Sequence, residues 1–443
     1  MSKLQLSFFR SQLVASRRKP KGYRWTLTEK LFCVQLHCKS PVAYRFLSQR
    51  FALPSVSTLL KFVSAAVGRV DSGFSDIVMQ LLRMRLTDLP FCDRQCALVF
   101  DEMSLKKQLT FDKHLDKIVG YTDDGKVATH ALVFIIRGLH AKWKQPIGFF
   151  LTHNTVASSK LSDLIKDCVS HMYSVGLFVR CVVCDQGATN VSALKQLGFS
   201  VDAPHIMLHS LPHVVHVIFD VPHLLKNIRN NLQRHDIQHD DSVASWKYVD
   251  MFYRIDKDAP IRLAPKLTDR HVDVSGVGKM RVSLAAQVLS HSVAAGISMR
   301  TATRELPADA LGTAALIENV DRLFDLLNSR LLKGERPARC AVTSKNSNLK
   351  EMLSLKAWLD KWVFVGARSQ LGVNCHWGLQ ATIVSVGYIH YAVNCLMKVS
   401  DMSALLDLTK IVWKIFLPLC EASKGGMKIR HQHSFRSHSV VPC

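Results

Sequence analysis

The stretch CALVFDEMSLKK, residues 96–107, ends an apolar run on two adjacent acids, Asp101 and Glu102. The run reads as a buried strand, and a strand sends successive side chains to opposite faces. Only one of the two carboxylates can therefore face a given crevice. Asp101 is the candidate, and Glu102 is a supporting or structural neighbour. A second acid, Asp185, closes another apolar run, LFVRCVVCDQ. In an open sheet the carboxyl ends of neighbouring strands line one crevice, so Asp101 and Asp185 can point at one place. Paired carboxylates hold divalent ions that activate a water and stabilise the leaving oxygen in phosphodiester cleavage. Oxygen ligands select Mg2+ or Mn2+ over zinc. A plainer role stays open for Asp185, because QGATN follows it and an acid there can cap a helix starting at Ala188.

Positioning these acids requires a sheet. ALVFDEM, KIVGYTD and VATHALVFIIRG read as three successive strands, with TDDGK at 122–126 joining the last two as a hairpin, and PIGFFLT reads as one more. A helix over 158–173 follows, then the strand LFVRCVVCDQ, the short helix ATNVSALKQLG, the strand VVHVIFD and a helix opening at VPHLLKNIRNNL. A hairpin followed by alternating strands and helices implies an α/β fold, a mixed sheet flanked by helices.

Around this core the pattern is helical. TLTEKLFCVQLHCK, capped by Thr26 or Thr28, SPVAYRFLSQRF, with Ser40 before Pro41, and LPSVSTLLKFVSAAV, capped by Ser55 or Ser57, form three short helices. With Arg45, Arg50 and Lys61 outside, they suit either a helix-turn-helix DNA reader or a plain three-helix packing unit. Past Gln233 strand signals fade and the chain reads as a helical domain. The segments are a basic arm over 1–22, the helix-turn-helix segment over 23–70, a helical connector over 71–92, the core over 93–233, the helical domain over 234–398 and an irregular basic tail over 399–443.

Lys and Arg outnumber Asp and Glu by 58 to 35, a net charge of +23 that points to a polyanionic partner, DNA first. No apolar run reaches the length of a bilayer span, so no membrane is expected. Arg17, Arg18 and Lys19 read as a nuclear localisation signal or as a flexible DNA-binding arm. The 12 cysteines lack disulfide-framework spacing. Cys181 and Cys184 are spaced as a metal knuckle but sit in an apolar strand, which favours buried thiols. His205, His209, His213, His216 and His223 straddle a loop and a strand without a cysteine pair, which favours ordinary histidines over a zinc site.

LVFDEMSLKK, HALVFIIRGLHAKWKQPIGFFLT, CVVCDQGATNVSALKQLG and VIFDVPHLLKNIRNNL resemble, in order and spacing, the transposase core of the P element and its domesticated relatives. APKLTDRHV, LAAQVLSHSVAAGI and LFDLLNSR resemble the family's insertion. The resemblance implies an RNase H-like fold with a D, D, E set of acids and a GTP-binding insertion. Asp101 and Asp185 match the first two acids, while Asp220, His223 and Lys226 fall on a supporting motif. Trp143 in RGLHAKWKQP is expected to pack, with Lys142 and Lys144 near phosphate. A homo-oligomeric nuclear transposase cutting and joining transposon ends follows, or a catalytically inactive DNA-binding derivative acting as a repressor or host factor. The family's THAP zinc finger has no counterpart in the spacing of Cys33 and Cys38. The tail does not match the segment carrying the third acid, for which Glu421 is the nearest residue. SGVGKM, with Asp273 and Met280 at two motif positions, is not a phosphate-binding loop, so GTP is implied by the resemblance alone.

Overall fold

The computed structural model describes residues 3–16, 24–67, 72–86, 89–112, 116–140, 143–208, 211–328, 337–340, 342, 347–367 and 373–399. Arg17, Arg18, Lys19, Lys142, His209 and Glu421 lie outside the described residues. Two compact units form, one from the described residues up to 73 and from 107 to 127, the other from 74–106 and the described residues from 128 onward.

In the first unit, much of the expected basic arm is a helix, Lys3–Ser16, followed by Leu27–Lys39, Pro41–Ser48 and Val56–Val67. Thr26 caps the second of these in a capping box with Glu29, and Ser40 caps the third ahead of Pro41. Ser55, the expected cap of the fourth, accepts from the Thr58 N–H at 3.2 Å. Cys33, Tyr44 and Leu59 close the small core, and the Tyr44 hydroxyl donates to Pro54 O at 2.6 Å.

The second unit is built on a seven-stranded sheet. Its strands in chain order are β1 (Gly73–Phe74), β2 (Gln95–Ser104), β3 (His130–Gly138), β4 (Lys144–Thr152), β5 (Phe178–Cys184), β6 (His205–Ile206) and β7 (Val215–Phe219). Across the sheet they run β1-β4-β3-β2-β5-β7-β6. β2, β3 and β4 are antiparallel neighbours, whereas β2, β5 and β7 run parallel. Cys96–Phe100 and Cys181–Cys184 are wholly buried because helices cover the parallel half, which is why those strands read as continuous apolar runs.

Three expectations need correction. KIVGYTD does not join the main sheet. Lys117–Val119 pairs with Thr110–Asp112 in a separate hairpin, and Gly120, at φ +109°, turns the chain away, so that the TDDGK turn is closed by an isolated bridge between Tyr121 and Val127 and by Thr122 N–H donating to Lys126 O at 2.8 Å. Past residue 233 the helices are joined by a small sheet of Ser242–Ala244, Ile237–His239 and Val363–Phe364. Strands of two or three residues are too short to show alternation. Finally, helix Asn374–Val399 packs on the core as well as on the insertion, where its His376 Nε2 lies 2.7 Å from Leu359 O. Its Thr382 Oγ1 accepts from Phe219 N–H at 3.1 Å, and Ser385 Oγ donates to Val217 O at 2.7 Å.

One stretch, Val282–Ala302, is long and apolar enough to cross a membrane by length and composition, which the expectation of no such run missed. It is two helices, Val282–Val288 and His291–Ala302. Val288, Leu289, Val293 and Ile297 are buried in the unit's own core.

Candidate functional site: an acidic crevice at three strand ends

Three aspartates stand at the carboxyl ends of the three parallel strands. Val99 pairs with Val183, so two residues further Asp101 stands level with Asp185. Cys184 pairs with Phe219, and the Asp220 N–H continues the ladder to Cys184 O at 3.0 Å, which sets Asp220 beside Asp185. The side chains of Asp101 and Glu102 do not form a dyad. Asp101 Oδ1 accepts from the Glu102 N–H at 2.9 Å, while Glu102 Oε1 accepts from the Val156 N–H at 3.3 Å.

Asp185 is held from one side. Its Oδ1 accepts from the Gly187 N–H at 2.9 Å and from Asn190 Nδ2 at 2.7 Å, one turn into helix Ala188–Gln196. The N-cap of that helix is Gly187, without a side-chain cap, so Asp185 braces the turn rather than capping the helix. Sequence reasoning missed Asn190. Gln186, next along, donates to Asn374 O at 2.6 Å, and at Gly378 a β-carbon would meet the Gln186 amide at 2.1 Å. The loop bearing Asp185 is thus seated against the long returning helix. That helix, Asn374–Val399, contains no Asp or Glu.

Asp220 is wholly buried at the start of helix Val221–Leu232. Its Oδ2 lies 2.7 Å from His223 Nδ1, an ion pair by distance but without hydrogen-bond geometry, and neither carboxylate oxygen has a hydrogen-bond donor among the described residues. Lys226 follows one turn on. Burial would push His223 down, but the Asp220 carboxylate outweighs it and raises its pKa. Asp101 is pushed up to about 6, first by burial and then by the charge of Asp185. The Cys184 thiol rises well above its ordinary value through burial and the same three acids. Unsatisfied carboxylate oxygens beside a raised Asp101 are the donor set a hard divalent ion fits, and the ion's charge would reverse the repulsion that Asp101 feels.

Of the other expected residues, Arg45, Arg50 and Lys61 are exposed on the first unit, with the Arg50 guanidinium 4.0 Å from the Phe46 ring centroid. Trp143 packs against the core as expected, and its Nε1 donates to Asp93 O at 3.0 Å. Lys144 is exposed. Cys181 and Cys184 are buried free thiols.

A second concavity, of about 280 Å³, is lined by residues that include Asn230, Arg234, Trp246, Asp273 and Lys279. One wall is the SGVGKM segment, a 3-10 turn over Gly276–Met280. The fully buried Arg229 donates through Nη2 to Lys279 O at 3.0 Å, and Asn230 donates to the same oxygen at 3.4 Å. Sequence reasoning had singled out Asp273 and the SGVGKM segment with Lys279 only as a failed phosphate-loop pattern, and it named none of Arg229, Asn230, Arg234 and Trp246.

Fold and site together define an RNase H-like domain followed by a largely helical insertion. The family described as TNP-like, RNase H N-terminal domain matches residues 70–198, and TNP-like, GTP-binding insertion domain matches 222–339. Over 298 residues the chain is 26% identical to the transposable element P transposase of Drosophila melanogaster, covering 67% of this chain and 38% of the relative. Over 339 residues it is 24% identical to the DNA transposase THAP9 of Homo sapiens, covering 71% and 36%. The matches therefore span little more than a third of each curated relative's length. The solved Drosophila P element transposase strand transfer complex superposes with a TM-score of 0.74 at 22% identity, covering 96% of this chain and 92% of that one. The chain belongs to the P-element transposase family.

Proposed function

We propose that the chain cuts and joins DNA at transposon ends. The observation that carries this reading is the set of three carboxylates at adjacent parallel strand ends in a chain with a net charge of +23. Asp101 and Asp185 would hold Mg2+ or Mn2+, and Asp220 with His223 orients the edge of the site. When bound, the ions supply a polarised water and a counter-charge for the leaving 3′ oxygen. The chain's own part is to fix the geometry: Gly187 and Asn190 hold Asp185 by one oxygen, so the other faces the crevice. The basic first unit, through Arg45, Arg50 and Lys61, grips phosphates, as would Arg17, Arg18 and Lys19.

GTP is assigned to the cavity beside helix Val221–Leu232. Lys279 and Arg234 offer cations for phosphates, Trp246 a face for the base and Asp273 an acceptor for the guanine N–H groups. The relatives named as transposases support a protein that acts on chromosomal DNA, hence in the nucleus, and we propose that it works there as a homo-oligomer.

The test incubates the purified full chain with labelled duplexes carrying the repeats that flank its own coding locus, with Mg2+ or Mn2+. Nicked and joined products from the wild type, lost in Asp101→Asn and in Asp185→Asn, support the reading. Specific binding without any product, unchanged by Asp101→Asn or by chelator, would replace it with the inactive DNA-binding derivative.

A further inference from the structure

At the opposite end of β2 from the acids, three ligating groups of different chemistry converge. Cys92 and Asp93 lie on the 3-10 turn Phe91–Arg94 that leads into β2, and His140 lies just beyond β3. The Cys92 sulfur, an Asp93 carboxylate oxygen and a His140 ring nitrogen all fall within 4.8 Å of one another. His140 Nδ1 contacts Asp93 Oδ1 directly, and the Cys92 Sγ lies 3.9 Å from that same oxygen.

The frame beneath this cluster is rigid. Trp143 Nε1 donates to Asp93 O at 3.0 Å, Arg94 Nε to Leu89 O at 2.8 Å and Gln95 Nε2 to Phe91 O at 2.9 Å. The Leu139 N–H donates to Gln95 O at 2.9 Å, which ties the His140 side to the cysteine side. The backbone is thus held before any ion arrives, which limits the entropy that binding must remove. His140 and Asp93 keep 22% and 20% of their side-chain surface exposed, so an ion can enter and keep a water as a fourth ligand.

We propose that Cys92, Asp93 and His140 bind one zinc ion. A thiolate and an imidazole are the softer ligands that favour zinc over magnesium, and three protein ligands with one open position suit its tetrahedral preference. The carboxylates of the crevice are oxygen-only and stand roughly 20 Å away along the rise of β2 from Gln95 to Asp101, so the two sites take different ions. Binding forms a sulfur–metal bond and releases the Cys92 thiol proton to solvent. The ion also takes the place of the hydrogen between His140 Nδ1 and Asp93 Oδ1, and that proton too is released to solvent. In this arrangement the zinc joins the start of β2 to the end of β3 and fixes the register of the strand that carries Asp101.

The experiment uses the full chain, freed of metal with a chelator and titrated with Co2+ as a spectroscopic substitute, alongside the zinc content of the protein as purified. Near-stoichiometric zinc and a thiolate-to-cobalt charge-transfer band are expected. Cys92→Ser and His140→Asn should each remove the band and weaken cobalt binding by more than the 10–100-fold typical of losing an outer-shell partner. Cys33→Ser, in the other unit, and Asp101→Asn should leave it intact, because oxygen ligands give no such band. Circular dichroism confirms that the variants fold. Absence of zinc and of the band in the wild type overturns the proposal, as does a band that survives Cys92→Ser. Neither result touches the reading of the acidic crevice, whose assay scores DNA products.

Discussion

Asp220 Oδ2 lies 2.7 Å from His223 Nδ1, and that carboxylate is 0% exposed with no hydrogen-bond donor among the described residues. Removing one member of a buried pair leaves the other charged and uncompensated, at a cost of about 3–5 kcal/mol. His223→Ala should therefore lower stability by that order in a denaturant melt, whereas Asp220→Asn, which removes the charge itself, should cost less. The sign with pH follows from the raised histidine. Its stabilising contribution is complete below the ordinary histidine value of about 6.5 and fades as pH rises through the folded value. The wild type should lose that increment above neutrality, and Asp220→Asn should not.

Asp101 gives the opposite kind of contribution. Its pKa is raised to about 6 in the fold, against about 3.9 unfolded. The folded state therefore holds the proton more tightly. Metal-free stability should fall as pH rises from about 4 to about 6 and then level off. Asp101→Asn should abolish that slope, raise the melting temperature of the metal-free protein at pH 7, and cancel the stabilisation that Mn2+ gives the wild type. A variant that melts like the wild type at every pH, with and without Mn2+, sinks this assignment.

The exposed cations of the first unit make a prediction about salt. Each phosphate contact contributes about 0.9 to the slope of log K against log salt on duplex DNA. Replacing Arg45, Arg50 and Lys61 together by Ala should reduce that slope by roughly 3 if all three grip phosphate. An unchanged slope in a fluorescence titration would make this unit a packing element.

At Gly296 an added β-carbon would lie 2.4 Å from Phe252 Cζ. The ring is wholly buried and has no direction in which to give. Gly296→Ala should cost about 1–3 kcal/mol, the range for overpacking a core, seen as a lower denaturant midpoint with unchanged DNA affinity.

The sheet was legible because both its periods were written out. β2 and β5 are long apolar runs ending on acids, and turn residues separate them. Ser40, Pro41 and Thr26 likewise marked helix starts that the structure keeps. What stayed hidden was set by contacts distant in sequence. Nothing local to GYTDDGK says that the strand before it leaves the sheet. The returning helix at Asn374–Val399 reveals its place through contacts distant in sequence, such as Thr382 and Ser385 meeting β7 and Gln186 meeting Asn374. Asp101 and Asp185 were readable as strand-end acids, but the burial of Asp220 against His223 is a product of packing, and Asn190 becomes a partner of Asp185 only when the helix winds.

Arg229 links the two concavities of the second unit, since it lies on the helix that begins at Asp220 and donates to Lys279 O on the wall of the other. Its guanidinium is buried, and burial pulls its pKa down from the ordinary arginine value. Arg229→Met keeps the length of the side chain but removes the donors to Gly278 and Lys279. A hydrogen bond from a charged group contributes about 1.5–3 kcal/mol, so losing the anchor of this turn should weaken a fluorescent GTP analogue by tenfold or more. Asp101→Asn, by contrast, should bind the analogue as the wild type does. If Arg229→Met folds and binds the analogue with undiminished affinity, the cavity at Lys279 is not the nucleotide site.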